Sequence, residues 1–100
     1  MVKCVALVEQ SILMVMQISR LYDKGQMTIG RIAMAKAACT ANCREVAAMA
    51  RNVMGGNGIL LQNHAIKMMM DIEAIHTYEG THEINTLVAG REMTGLSALR

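Results

Sequence analysis

Between two apolar helical stretches the chain carries Thr77-Tyr78-Glu79-Gly80-Thr81, a carboxylate at the tip of a short loop with a glycine directly behind it. A lone loop glutamate is ordinarily a solvated surface charge. The neighbours of Glu79 argue for chemistry. Gly80 lets backbone and ligand approach closely. A loop carboxylate with its own N–H beside it offers a base for a proton and a donor for an adjacent oxygen. Thr81 stands where it can cap the next helix, whose positive N-terminal end suits an anion. A second glycine cluster, Gly55-Gly56-Asn57-Gly58, closes a long alanine-rich stretch. Taken alone it reads as a helix cap followed by a turn.

Other reactive residue types point to structure. His64, His76 and His82 have no helical spacing that would gather them on one face, so packing or solvent-facing roles are expected. Met68-Met69-Met70 reads as flexible core filling more readily than as a soft metal site. Cys39 and Cys43 lie four apart on one helix face, poor geometry for a disulfide, and no Cys/His pair completes a zinc site with them. Free thiols point to a reducing, intracellular compartment.

Four helices can hold the two glycine loops in place. The first is predicted from Val2 to Tyr22, with Val5, Val8, Ile12, Val15 and Ser19 on one face and enough apolar residues elsewhere to suggest burial between neighbours. Gly25 suits a left-handed cap at its end. The second opens on Thr28 as N-cap and runs to about Met54, where Gly55 and Gly56 stop it. Its many alanines let helix axes approach closely. Arg44, Glu45 and Arg51 mark its wetter side. The third covers about Asn63 to Ala74. The fourth follows Thr81 and ends near Gly95, with Ile84, Leu87, Val88 and Arg91 on one side. The fold class is therefore all-α, an antiparallel four-helix bundle in a single domain over residues 1–100. Gly30 and Gly90 are its weak points, each costing about 1 kcal/mol against alanine inside a helix.

The composition agrees. Hydrophobic residues make up 53% of 100 positions, with 11 Met, no Pro and only two aromatic residues, both Tyr, which suits close-packed helices. A net charge of +2, without basic runs, gives no footprint for nucleic acid. Lys3, Glu9, Gln10, Gln17 and Arg20 interrupt the apolar N-terminal stretch, so a buried helix is expected there and no membrane span.

Thr77-Tyr78-Glu79-Gly80-Thr81-His82, with Asn85-Thr86-Leu87, Gly90-Arg91-Glu92-Met93-Thr94-Gly95 and the upstream glycine cluster, resembles the C-terminal helical domain of the acyl-CoA dehydrogenase family over nearly the whole chain. Its glutaryl-CoA dehydrogenase and short-chain acyl-CoA oxidase branches are the most similar. The resemblance implies that Glu79 is the base that removes the α-proton of an acyl-CoA thioester while the β-hydride passes to N5 of FAD. The thioester oxygen would be held by the Glu79 N–H and a flavin ribityl hydroxyl. It implies that Gly80 lies against the substrate, that Thr81 contributes to the flavin site, and that Asn52, Val53, Met54, Gly55 and Gly56 meet the ADP part of FAD across a subunit boundary. Asn52 stands where many members have Gln, and Leu99 where relatives often have Phe beside the flavin.

The same resemblance implies a homodimer or homotetramer, and electrons passed to an electron-transfer flavoprotein or to oxygen. The compartment would be the mitochondrial matrix or peroxisome of a eukaryote, or a bacterial cytoplasm. The family's N-terminal helical domain and middle β-domain have no counterpart in these 100 residues, so the chain alone is expected to be inactive. Two functional classes follow: a catalytic portion of a flavoenzyme, or a helical interaction module that kept the packing surface and lost turnover.

Overall fold

A computed structural model describes residues 1–98. Four α-helices follow in order: α1 (Val2–Asp23), α2 (Ile29–Val53), α3 (Ala65–Thr77) and α4 (His82–Thr94), with two short 3-10 turns, Gly55–Ile59 and Leu61–Asn63, between α2 and α3. No strand occurs among the described residues. The all-α, four-helix expectation holds, with α2 as the hub on which the other three helices pack.

The alanines of α2 explain the hub. Ala33, Ala35 and Ala37 are buried, and their single methyl groups let neighbouring helices come close. Gly30 belongs to the same logic. A Cβ there would sit 2.6 Å from the Glu92 carboxyl carbon, so glycine is what allows α4 to cross the start of α2. Glu92 uses that closeness to cap α2 from outside. Its carboxylate accepts from the Thr28 hydroxyl (2.5 Å) and the Gly30 N–H (2.8 Å). Both hydrogen bonds, the Thr28 one first, hold the Glu92 carboxyl below its usual range. Gly90 meets no such neighbour, and nothing around it requires a glycine.

Helix ends follow the sequence signals closely. Gly25 adopts φ +65° after α1, and Thr28 and Thr81 both accept from the backbone N–H three residues on as N-caps. The third helix differs: it begins at Ala65 and runs to Thr77, because the residues after Gly55 wind into 3-10 turns and His64 (φ 63°) re-aims the chain.

α1 departs from expectation. None of its residues is buried. The face laid on α2 is Cys4, Leu7, Ser11, Met14, Ile18 and Leu21, all half-buried, whereas Val5, Val8, Ile12 and Val15 are 45–59% exposed. The sequence holds two apolar stripes at the same three-and-four spacing, one residue apart. Periodicity cannot choose between them, but polar contacts can: Asn42 donates to the Leu7 carbonyl (3.4 Å) and Ser11 hydroxyl (3.1 Å), and Lys3 pairs with Glu45. By length and composition α1 is also apolar enough to cross a membrane, with mean hydropathy 1.4. Only Lys3 and Glu9 carry charge before Arg20.

The outcome is a slab of 47 × 31 × 18 Å with a radius of gyration of 15.8 Å. A compact chain of this length has a radius near 13 Å. Its accessible surface, 7165 Å², exceeds the roughly 5600 Å² of a compact monomer of this mass. Exposed apolar side chains on α1, among them Val2, Val5, Leu13 and Val15, contribute to it.

Candidate functional site

The segment from His76 to Asn85 is wrapped around one side chain of α2. Lys36 is half-buried among the alanines, and its Nζ donates to the carbonyls of His76 (3.0 Å), Tyr78 (2.9 Å) and Gly80 (2.5 Å). An ammonium has three protons to give. All three go to backbone oxygens of this loop. Asn85, buried on α4, donates from Nδ2 to the Gly80 carbonyl (2.6 Å) and the Thr81 carbonyl (3.0 Å). The loop is thus held from both sides by charge-assisted and amide hydrogen bonds.

This bracing forces unusual backbone. Glu79 sits at φ 55° and Gly80 at φ 91°. A non-glycine residue in the left-handed region persists only where its surroundings over-determine it, and such residues gather at functional sites. Gly80 is doubly constrained: any Cβ would also lie 2.9 Å from the Asn85 amide nitrogen. The Glu79 side chain is exposed, and among the described residues its carboxylate has no hydrogen bond or ion pair. A strained residue with an uncommitted carboxylate is arranged to meet something else.

Beneath the loop lies a polar layer that residue spacing had hidden. The His76 and His82 rings stack with centroids 5.4 Å apart, a packing contact that helical spacing does not reveal because the loop lies between them. Their six-residue separation spans the loop, so folding the loop back on Lys36 brings them together. His76 Nδ1 lies 2.8 Å from the Thr40 hydroxyl. Burial, then the Arg44 guanidinium and the neighbouring His82, push the His76 imidazole below its usual value and favour the neutral ring. His82 Nδ1 is buried without a hydrogen-bond partner among the described residues. Thr81 caps α4 through the Ile84 N–H (3.3 Å). Glu83, in the first turn, is held below its usual range by its own backbone N–H and the Thr81 hydroxyl.

The second group lies elsewhere. Asn52, Val53 and Met54 end α2, with Val53 85% exposed, and Gly55 and Gly56 lie open with nothing within 4 Å of an added Cβ. Sixteen positions of α2 separate Asn52 from Lys36, about 24 Å along the helix axis. Glu79, Gly80 and Thr81 therefore form one patch, and Asn52 to Gly56 form another. Two open apolar grooves beside α1, of about 450 and 730 Å³, include neither patch. Leu99 lies outside the described residues.

Fold and loop together define a helical domain that presents one braced carboxylate beside a helix N-terminus. A profile of the family described as "Acyl-CoA dehydrogenase, C-terminal domain" matches residues 1–94. The chain belongs to that family. Among solved structures it is similar to a glutaryl-CoA dehydrogenase from Mycobacterium smegmatis, with 30% identity and a TM-score of 0.84 over 89% of this chain and 23% of that one. A glutaryl-CoA dehydrogenase from the same organism in complex with FADH2 gives 26% identity and a TM-score of 0.91, over 97% of this chain and 25% of that one. The chain spans about a quarter of the length of these proteins.

Proposed function

We propose that this chain forms the C-terminal catalytic portion of an FAD-dependent acyl-CoA dehydrogenase, with Glu79 as the base that takes the α-proton of the acyl-CoA thioester. The observation that carries the reading is the Glu79 loop itself: an exposed carboxylate with no partner among the described residues, on a residue held at φ 55°. FAD, when bound, would supply the acceptor for the β-hydride. The residues of this chain suit part of such a cofactor. The N-terminus of α4, capped by Thr81, favours an anion, and Gly55 and Gly56 leave backbone open to close approach. The 24 Å or so between the two patches fits an assignment in which Asn52 to Gly56 serve the ADP part of the FAD of a neighbouring subunit.

The carboxylate acts as base, Gly80 admits the thioester beside the backbone, and the Glu79 N–H donates to the thioester oxygen as charge develops there. Glutaryl-CoA is the first substrate to try, because both similar structures are glutaryl-CoA dehydrogenases. The surface excess fits a homodimer or homotetramer whose other domains cover α1.

In the FAD-loaded protein, Glu79→Gln keeps shape and hydrogen bonding but cannot take a proton. Flavin reduction by acyl-CoA is expected to fall by about 10²–10⁴ while FAD content stays unchanged. Glu73, paired with Arg44 at 2.6 Å, and Glu83 serve as controls. Equal losses from Glu73→Gln or Glu83→Gln would remove Glu79 from the role. The same surface excess supports a second reading, a helical interaction module without turnover. Flavin absorbance of the purified protein separates the two.

A further inference from the structure

The Lys36 ammonium does more than anchor a loop. A trans peptide holds its C=O and N–H in one plane, pointing opposite ways, and no peptide bond among the described residues is cis. The Tyr78 carbonyl accepts from Lys36 at 2.9 Å, so the N–H of the same peptide, that of Glu79, points away from α2. That N–H finds no acceptor among the described residues. The Gly80 carbonyl, on the other side of Glu79, is drawn to the same ammonium. Both flanks of Glu79 are therefore set by one cation, which also polarises the Tyr78–Glu79 peptide and strengthens its N–H as a donor.

Among the described residues the ammonium has no carboxylate partner, and its three protons are spent on three converging carbonyls. A lysine serving only as a surface charge would point to water. One serving only to end α3 would need just the helix's last carbonyls. Reaching on to Gly80 closes the turn that carries the carboxylate.

We infer that Lys36 is the positioning residue of the site: it aims and strengthens the Glu79 N–H as donor to the thioester oxygen and fixes the carboxylate beside it. This inference rests on the reading of Glu79 as the base. The test uses the FAD-loaded holoprotein, with the remaining three quarters supplied by the M. smegmatis glutaryl-CoA dehydrogenase in a chimera, and compares Lys36→Met, Lys36→Arg and Glu79→Gln. Lys36→Met keeps the stem and removes the donors. Its expected effect is a drop in the flavin-reduction rate of about 10- to 100-fold, with KM for glutaryl-CoA near its starting value. Lys36→Arg keeps the charge, but its planar fork cannot converge on three carbonyls, so its rate should fall between the two.

The carbonyl stretch of bound crotonyl-CoA, ¹³C-labelled at the thioester, distinguishes the roles. Glu79→Gln should keep the downshift that the N–H donor imposes, and Lys36→Met should lose most of it. If Glu79→Gln reduces flavin normally, the base assignment fails whatever Lys36 does. If Glu79→Gln is inactive while Lys36→Met matches the parent in both rate and carbonyl downshift, the positioning role is wrong. Nitrogen-15 NMR of the 100-residue chain needs no cofactor. Lys36 ammonium protons should exchange more slowly than those of the other lysines, and the Glu79 amide resonance should move in Lys36→Arg as well as Lys36→Met. Fast Lys36 exchange, or an unmoved Glu79 amide in a folded Lys36→Arg protein, would also overturn the inference.

Discussion

The two glycine-bearing loops of this domain are built to opposite plans. The Glu79 loop is gripped from α2 by Lys36 and from α4 by Asn85, and spends its conformational strain on one outward carboxylate. The loop after α2 leaves Gly55 and Gly56 with empty space around them. It is anchored only further on, where Gly58 lies buried against the Arg51 carbonyl and Asn63 donates to the Asn57 carbonyl at 2.8 Å. On the proposed reading the first loop carries a base for proton transfer, and fixing a base takes internal partners. Contact with an extended ligand from elsewhere asks only for accessible backbone.

The sharpest way to break that contrast is Glu79→Gln, whose effect falls on rate and leaves stability untouched. The next largest effect belongs to the anchor of the open loop. A Cβ at Gly58 would lie 2.2 Å from the Arg51 carbonyl oxygen, an overlap that only backbone movement relieves. Gly58→Ala is expected to cost about 3 kcal/mol, read as a lowered Tm in thermal melts. Asn85→Ala follows. It removes one of the two donors to each of the Gly80 and Thr81 carbonyls, for an expected loss of about 1–3 kcal/mol by denaturant titration.

A pH series gives a smaller effect. The fold depresses the value of His76, so its contribution is whole above the ordinary 6.5 and declines as pH falls below it. Glu92 is likewise depressed, and its contribution is lost lower down, as pH falls from the ordinary 4.5 through the folded value. Tm should therefore fall in two stages on acidification, and Glu92→Gln should shrink the lower one, to which the likewise depressed Glu83 also contributes, while leaving the upper one in place. The smallest effect is Gly56→Ala, within about 0.5 kcal/mol, because nothing stands in the way. A large loss there would mean that the open loop is braced after all.

Much of the fold was legible because its signals are local. Thr28, Thr81 and Gly25 mark helix ends through hydrogen bonds to residues three or four away, and the structure honours each of them. Glu79, Gly80 and Thr81 were legible as a group because they are contiguous. What escaped depends on pairs far apart in the chain. Lys36 lies 44 positions from Gly80, and nothing in Ala35-Lys36-Ala37 announces a loop brace. The meeting of His76 and His82 follows from that brace. The face of α1 escaped for another reason: Val5, Val8, Ile12 and Val15 are as apolar as the stripe that packs, and it is Asn42 and Glu45 on another helix that break the tie.

That tie has a thermodynamic edge. Rolling α1 by about 100° about its axis would exchange its two stripes, at little change in apolar area buried against α2. The Ser11–Asn42 pair and the Lys3–Glu45 ion pair stand against that roll. Replacing Ser11 and Asn42 with Ala and Leu would remove two polar groups from a half-apolar seam, raising the helix's affinity for α2 while loosening its orientation. In α1, uniqueness and adhesion are carried by different atoms, and a designer could trade one against the other.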